Sequence, residues 1–76
     1  MSEREVLDTK GLKCPLPVLK TKRALKMLPD GAELQIEATD PGSVEDFRHF
    51  CETTGFRLRE CEEVDGVFTF VIEKSS

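Results

Sequence analysis

The chain has no tryptophan and no tyrosine, a single histidine, three cysteines and no excess of basic residues. The missing large aromatics remove the usual platforms on which RNA bases stack. A net charge of −4, from 11 basic against 15 acidic residues, argues in the same direction, because a general nucleic-acid binder usually carries a basic excess. Direct nucleic-acid binding is therefore not expected. No apolar run approaches transmembrane length and the start of the chain has no apolar signal region, so no membrane association is expected. An odd set of three cysteines is not a disulfide framework, and a cytoplasmic protein with reduced thiols follows as the expectation. Three scattered thiols and one histidine offer no zinc spacing, so neither metal nor cofactor is expected. There is no linker, internal repeat or low-complexity segment.

What is present fits one small domain spanning residues 1–76, since 38% hydrophobic and 34% charged residues are the mixture of a globular chain. At this length one core is all there is room for, and stability is near the marginal end.

The most informative stretch is Lys13-Cys14-Pro15-Leu16-Pro17. Proline fits the first helical position, where an N–H would have no intrahelical partner and φ is already helical. That placement makes Pro15 the first residue of a helix and Cys14 its N-cap, with Pro17 in the same first turn. A thiolate there would face the positive helix pole and the unpaired amides of Leu16 and Val18, so the spacing predicts a depressed Cys14 pKa. Pro17 occupies the place where a Cys-x-x-Cys motif keeps its second thiol. Without a neighbouring partner, a reactive thiol is better suited to carrying a group such as sulfane sulfur than to dithiol oxidoreduction. The competing reading is that Cys14 is a small apolar residue closing a turn.

Residues 3 to 8 read as a short strand ended by Asp8, a residue that caps turns readily. Gly11 gives the following loop access to positive φ, which lets it turn sharply and deliver Cys14 to the strand's end. On a helical wheel Val18, Thr21, Ala24, Leu25 and Leu28 share one arc, the predicted core face. Lys20, Lys22, Arg23 and Lys26 share the other. Leu16, Leu19 and Met27 fall beside the basic arc. They form either a docking surface next to the cysteine or a solvated lysine face with stray leucines.

Pro29-Asp30-Gly31 is a stop-and-turn signal, and the alternation from Ala32 to Ala38 is that of a half-buried strand. Thr39-Asp40-Pro41-Gly42 opens a second helix, with Glu45 and Asp46 suited to the positive pole of its first turn. Val44, Phe47, Phe50, Cys51 and Thr54 lie on its apolar arc. His49 lies off it and reads as a surface histidine rather than a base for Cys14. Gly55 ends the helix. Residues 56–63 and 67–73 are strands joined by Val64-Asp65-Gly66, an Asp-Gly hairpin signal. Cys61, in the first of them, is read first as packing, with an edge position or a backup sulfur site as alternatives. Ser75 and Ser76 read as a frayed end.

The order strand, helix, strand, helix, strand, strand predicts an α+β fold, a two-layer α/β sandwich with a four-stranded mixed sheet and both helices on one face. Its first two strands should be parallel and its last two antiparallel.

Asp8-x-x-Gly11-Leu12-x-Cys14-Pro15-x-Pro17 resembles the signature of the TusA/SirA-like sulfur-carrier family, and the βαβαββ order is similar to that family's fold over nearly the whole chain. Asp40-Pro41, Phe50-Cys51 and Gly55 also resemble its second-helix region. The resemblance implies a small cytoplasmic sulfurtransferase. Its cysteine, here Cys14, would accept sulfane sulfur from a cysteine desulfurase or rhodanese and pass it to a downstream acceptor protein. In that reading Asp8 and Gly11 shape the loop, Pro15 and Pro17 fix the helix end, and Lys13, Leu16, Leu19, Lys20 and Arg23 meet partners. Some family members acting in tRNA thiolation have an acidic residue between the two prolines, where this chain has Leu16. Several routes stay compatible: tRNA 2-thiouridine synthesis, molybdenum-cofactor supply, sulfur oxidation or a selenium-linked role. The rival class is a regulatory docking module with a structural cysteine.

Overall fold

Alternation in the second strand decides how the layers stack. The computed structural model describes residues 5–75, and its elements are β1 (Glu5–Thr9), α1 (Leu16–Lys26), β2 (Glu33–Ala38), α2 (Ser43–Thr54), β3 (Arg57–Val64) and β4 (Val67–Glu73). Positions 3 and 4, assigned to the first strand from sequence, and Ser76 lie outside the described residues. In β2, Leu34, Ile36 and Ala38 are buried while Glu33, Gln35 and Glu37 are only partly covered, as a period of two requires when one sheet face is packed.

The sheet order is β1-β2-β4-β3. β1 pairs with β2 in parallel, whereas β2 with β4 and β3 with β4 are antiparallel. Leu25 of α1 and Phe47, Phe50 and Cys51 of α2 join Leu34, Ile36, Ala38, Phe70 and Ile72 in one apolar cluster. Both helices therefore cover the same sheet face, giving the two-layer α+β architecture. Phe47 and Phe70 stand at its centre, each fully buried, with ring centroids 4.5 Å apart.

The predicted core face of α1 packs inward: Thr21 and Leu25 are buried, and Val18, Ala24 and Leu28 are partly so. Thr21 Oγ1 donates to the Pro17 carbonyl at 2.8 Å, which satisfies a buried hydroxyl inside the helix. Helix α1 stops at Lys26, two residues short of the expected Leu28. There Lys74, from beyond β4, places its ammonium on the carbonyls of Leu25 and Leu28, both at 2.7 Å, the end where a cation is favoured.

In α2, Thr54 departs from the predicted arc. It is exposed and its hydroxyl donates to the Phe50 carbonyl at 2.7 Å. Gly55 follows at φ 80°, its N–H donating to the Cys51 carbonyl at 2.9 Å. A Cβ at Gly55 would meet no atom within 4 Å, so only the backbone conformation resists substitution. Gly55→Ala should cost about 1–2 kcal/mol, read as a lower denaturant midpoint at unchanged slope.

The hairpin turns at Asp65 (φ 50°) and Gly66 (φ 81°), the two positive-φ positions that an Asp-Gly loop supplies. Cys61 is the correction in this region: it is exposed, not packed. It pairs with Phe70 across the ladder, so it shares the helix-side face. Strand β3 is the sheet edge, however, and Leu58 is its only residue that is not exposed.

Candidate functional site

Parallel pairing of β1 and β2 brings the loops that follow them to the same end of the sheet, the usual place for a site in an α/β arrangement. The first loop is held by short-range and cross-loop bonds. Asp8 Oδ1 accepts the Lys10 N–H at 2.9 Å and pairs with its ammonium at 3.0 Å; the same ammonium reaches Glu37 at 2.8 Å. Lys10 thus holds the Asp8 carboxyl below the usual range, its backbone N–H contributing most. Gly11 turns at φ 84° and donates its N–H to Thr39 Oγ1 at 3.0 Å, fastening this loop to the end of β2.

Beyond Gly11 the chain makes a second turn, closed by the Leu16 N–H on the Lys13 carbonyl at 2.8 Å, with a cis Cys14–Pro15 peptide at its centre. Here the structure corrects the sequence reading by one residue. Pro15 is the N-cap, with φ −98° and ψ 16°, and Leu16 is the first helical residue. Cys14 belongs to the turn rather than to the cap. The Leu16 amide, expected to face the sulfur unpaired, is already used by Lys13.

Two carboxylates from the second loop and second helix take the place of those amides. Asp40 Oδ2 accepts the Cys14 N–H at 2.6 Å, while its Oδ1 accepts the Gly42 N–H at 3.0 Å and its carbonyl accepts the Ser43 N–H at 3.0 Å. One side chain thereby joins the turn before α1 to the turn before α2. These donors hold the Asp40 carboxyl below the ordinary carboxylate range, the Cys14 N–H contributing most, with further help from the charge of Lys13. A Cβ added at Gly42 would stand 3.7 Å from the Cys14 Cβ, so the loops approach closely there.

The Cys14 thiol donates to Asp46 Oδ2. That contact, with partial desolvation and the charges of Asp46 and Asp40, pushes the thiol up to about 11. The expected depression is overturned. Bonding to a carboxylate favours the protonated form, and carboxylate charges penalise the thiolate. The sulfur remains at the surface. Cys51, by contrast, is buried in the core and pushed up to about 11 by desolvation.

The proposed partner-facing residues do not form one patch. Leu16, Leu19, Lys20 and Arg23 line a shallow depression with Lys22 and Lys26 on the outer side of α1, and Leu16 and Leu19 are 45% and 49% exposed. Lys13 is elsewhere, beside Gly11, Leu12, Thr39, Asp40 and Pro41. Pro17 is buried under the helix start and Pro15 is exposed. His49 is exposed and lines a groove between the helices with Pro15, Val18, Leu19, Lys22 and Asp46. Sequence reasoning placed Asp40 and Asp46 only at a helix start. Nothing local could reveal their contacts with Cys14, which lie 26 and 32 residues away along the chain.

Among the described residues, no group of three or more His, Cys, Asp or Glu is arranged to hold a metal ion. No helix among them is long and apolar enough to cross a membrane.

The frame of a parallel βαβ unit closed by an antiparallel hairpin is shared with a protein of solved structure. A SirA-like protein of solved structure from Desulfitobacterium hafniense superposes with a TM-score of 0.83 at 26% identity, over 97% of this chain and 100% of its own. The profile of the family described as Sulfurtransferase TusA matches residues 5–74. The chain belongs to that family. The sulfur carrier protein TusA of Allochromatium vinosum is 49% identical over 69 residues, 91% of either chain. These similarities support a role in carrying sulfur.

Proposed function

We propose that the chain is a cytoplasmic sulfur carrier that accepts sulfane sulfur as a persulfide on Cys14 and relays it to an acceptor protein, tRNA 2-thiouridine synthesis being one such destination. The observation that carries the reading is the exposed Cys14 sulfur, presented by a proline-flanked turn at the mouth of the two parallel strands. The donor would be a cysteine desulfurase or rhodanese bearing a persulfide.

In the loading step the Cys14 thiolate attacks the outer sulfur of the donor persulfide. A new S–S bond forms, the donor's S–S bond breaks, and its electron pair leaves on the donor thiolate. In the unloading step an acceptor thiolate attacks the outer sulfur on Cys14, and Cys14 is the leaving thiolate. No redox partner is required, because each step exchanges one S–S bond for another. Asp8 and Gly11 shape the loop, Pro15 and Pro17 stiffen the turn and helix start, and Leu16, Leu19, Lys20 and Arg23 offer an apolar-basic surface to acidic partners, with Lys13 nearer the sulfur.

The rival, a regulatory docking module with a structural cysteine, draws support from the bond by which Asp46 holds the Cys14 thiol. Sulfur uptake separates the two. The protein is mixed with a cysteine desulfurase and cysteine, and the tryptic peptide containing Cys14 is weighed. One added, reductant-labile sulfur is expected; a peptide of unchanged mass with active donor present assigns the chain to the rival class.

A further inference from the structure

The contact between Cys14 and Asp46 has no role in a reading where the thiol only needs to be exposed. Asp46 lies in the first turn of α2, where its charge suits the helix pole, yet its Oδ2 is turned to the sulfur. The Asp40 carboxylate is also near, bound to the Cys14 backbone N–H at 2.6 Å, and its charge acts on the thiol. Lys13 is the cation beside Asp40, and Lys22 and His49 line the groove that reaches Asp46. Two carboxylates thus face the reacting atom from α2 and from the loop before it.

We propose that Asp46 gates the sulfur site: it holds Cys14 as the neutral thiol in the free carrier and, with Asp40, makes the site receptive to sulfur donors that present positive charge. The proposal rests on the sulfur-carrier reading and adds to it a determinant of donor choice. When a cationic group pairs with Asp46, the carboxylate no longer holds the S–H. The proton passes to solvent base, and the thiolate left behind can attack the outer sulfur of a persulfide, or either sulfur of a disulfide, releasing the other sulfur as a thiolate. An anionic donor meets repulsion from both carboxylates instead. In the free chain the same restraint spares the thiol from adventitious oxidation, since oxidation follows thiolate character.

The direction of the pH effect follows from the raised thiol, about 11 against an ordinary 9.0. Near neutral pH, loss of the Asp46 charge would raise the thiolate fraction by at most roughly a hundredfold, since desolvation and the Asp40 charge also raise the thiol. Nucleophilicity falls as the pKa falls, with a Brønsted coefficient of about 0.4–0.5, so the expected gain in rate is severalfold, up to about tenfold.

The test follows alkylation of the Cys14 peptide by iodoacetamide as a function of pH, read by mass spectrometry so that Cys51 and Cys61 do not interfere. The natural chain should titrate near 11, and Asp46→Asn should move the midpoint toward 9 and react severalfold, up to about tenfold, faster near neutral pH. At low ionic strength, the ratio of mixed-disulfide formation with cystamine to that with dithiodiglycolate should exceed the ratio that 2-mercaptoethanol shows with the same pair, which sets aside their different leaving thiols, and Asp46→Asn should narrow the excess. A natural-chain midpoint at or below 9, a disulfide ratio no larger than that of 2-mercaptoethanol, or an unchanged rate in folded Asp46→Asn overturns the gate. If Asp46→Asn melts below the working temperature, the natural-chain titration and the disulfide ratio decide alone. None of these readouts involves a sulfur donor protein, so failure of the gate and failure of sulfur uptake are separate results.

Discussion

Replacing Cys14 with serine should reduce sulfur uptake to background while leaving the fold intact. The fold survives because Cys14 is exposed and its structural contribution is the backbone N–H on Asp40 at 2.6 Å, which serine retains. Its hydroxyl can also still donate to Asp46. Uptake fails because a serine oxygen cannot make the S–S bond on which the transfer depends. The other two thiols give the experiment its edge. Cys51 is enclosed in the core, beyond reach of a donor persulfide, whereas Cys61 is exposed on the edge strand β3. Incubation with a desulfurase and labelled cysteine, followed by gel filtration without reductant, measures what remains on the chain. Label retained at natural levels in Cys14→Ser would reject the assignment of Cys14, and its recovery on the Cys61 peptide would move the carrier site to β3.

The fold was legible in the sequence wherever short-range chemistry determined it. Alternation from Leu34 to Ala38, glycine at the left-handed positions 11, 55 and 66, and the apolar arcs of both helices each arise within a few residues. What could not be read depends on separation along the chain. Lys74 caps a helix that ends almost fifty residues earlier, and no local pattern assigns it that task. The reading of Cys61 as packing follows from free cysteine being commonly buried, and it fails because Cys61 lies on the edge strand β3, where every residue but Leu58 is exposed. At the site, the proline pattern located the helix start to within one residue. The ionisation of Cys14 came out with the wrong sign, because a helix-pole argument counts amides and sees no carboxylates arriving from elsewhere. Asp40 and Asp46 reverse the electrostatics of the turn by reaching it through the fold.

The second large effect is expected far from the sulfur. Phe47 is fully buried, packs tilted against Phe70 at 4.5 Å centroid separation, and belongs to the cluster that joins α2 to β2 and β4. A Phe-to-Ala change in such a place typically costs about 3–5 kcal/mol, from lost transfer energy and the cavity that remains. A chain of 76 residues has only about 4–11 kcal/mol of total stability, so the loss takes about a quarter of it at best and exceeds it at worst. For a domain this small each kcal/mol moves the melting temperature by about 4–8 °C, and Phe47→Ala should melt at least ten degrees lower or be unfolded at room temperature. Leu19→Ala is the matching surface change: Leu19 is 49% exposed and outside the cluster, and a shift within about 0.5 kcal/mol is expected. Thermal melts followed by circular dichroism compare the two. Equal melting temperatures would mean that the helices are not held to the sheet through Phe47. Sulfur uptake should separate the two causes: Leu19→Ala, next to the turn that presents Cys14, impairs transfer in a folded protein, while any loss in Phe47→Ala tracks the unfolded fraction.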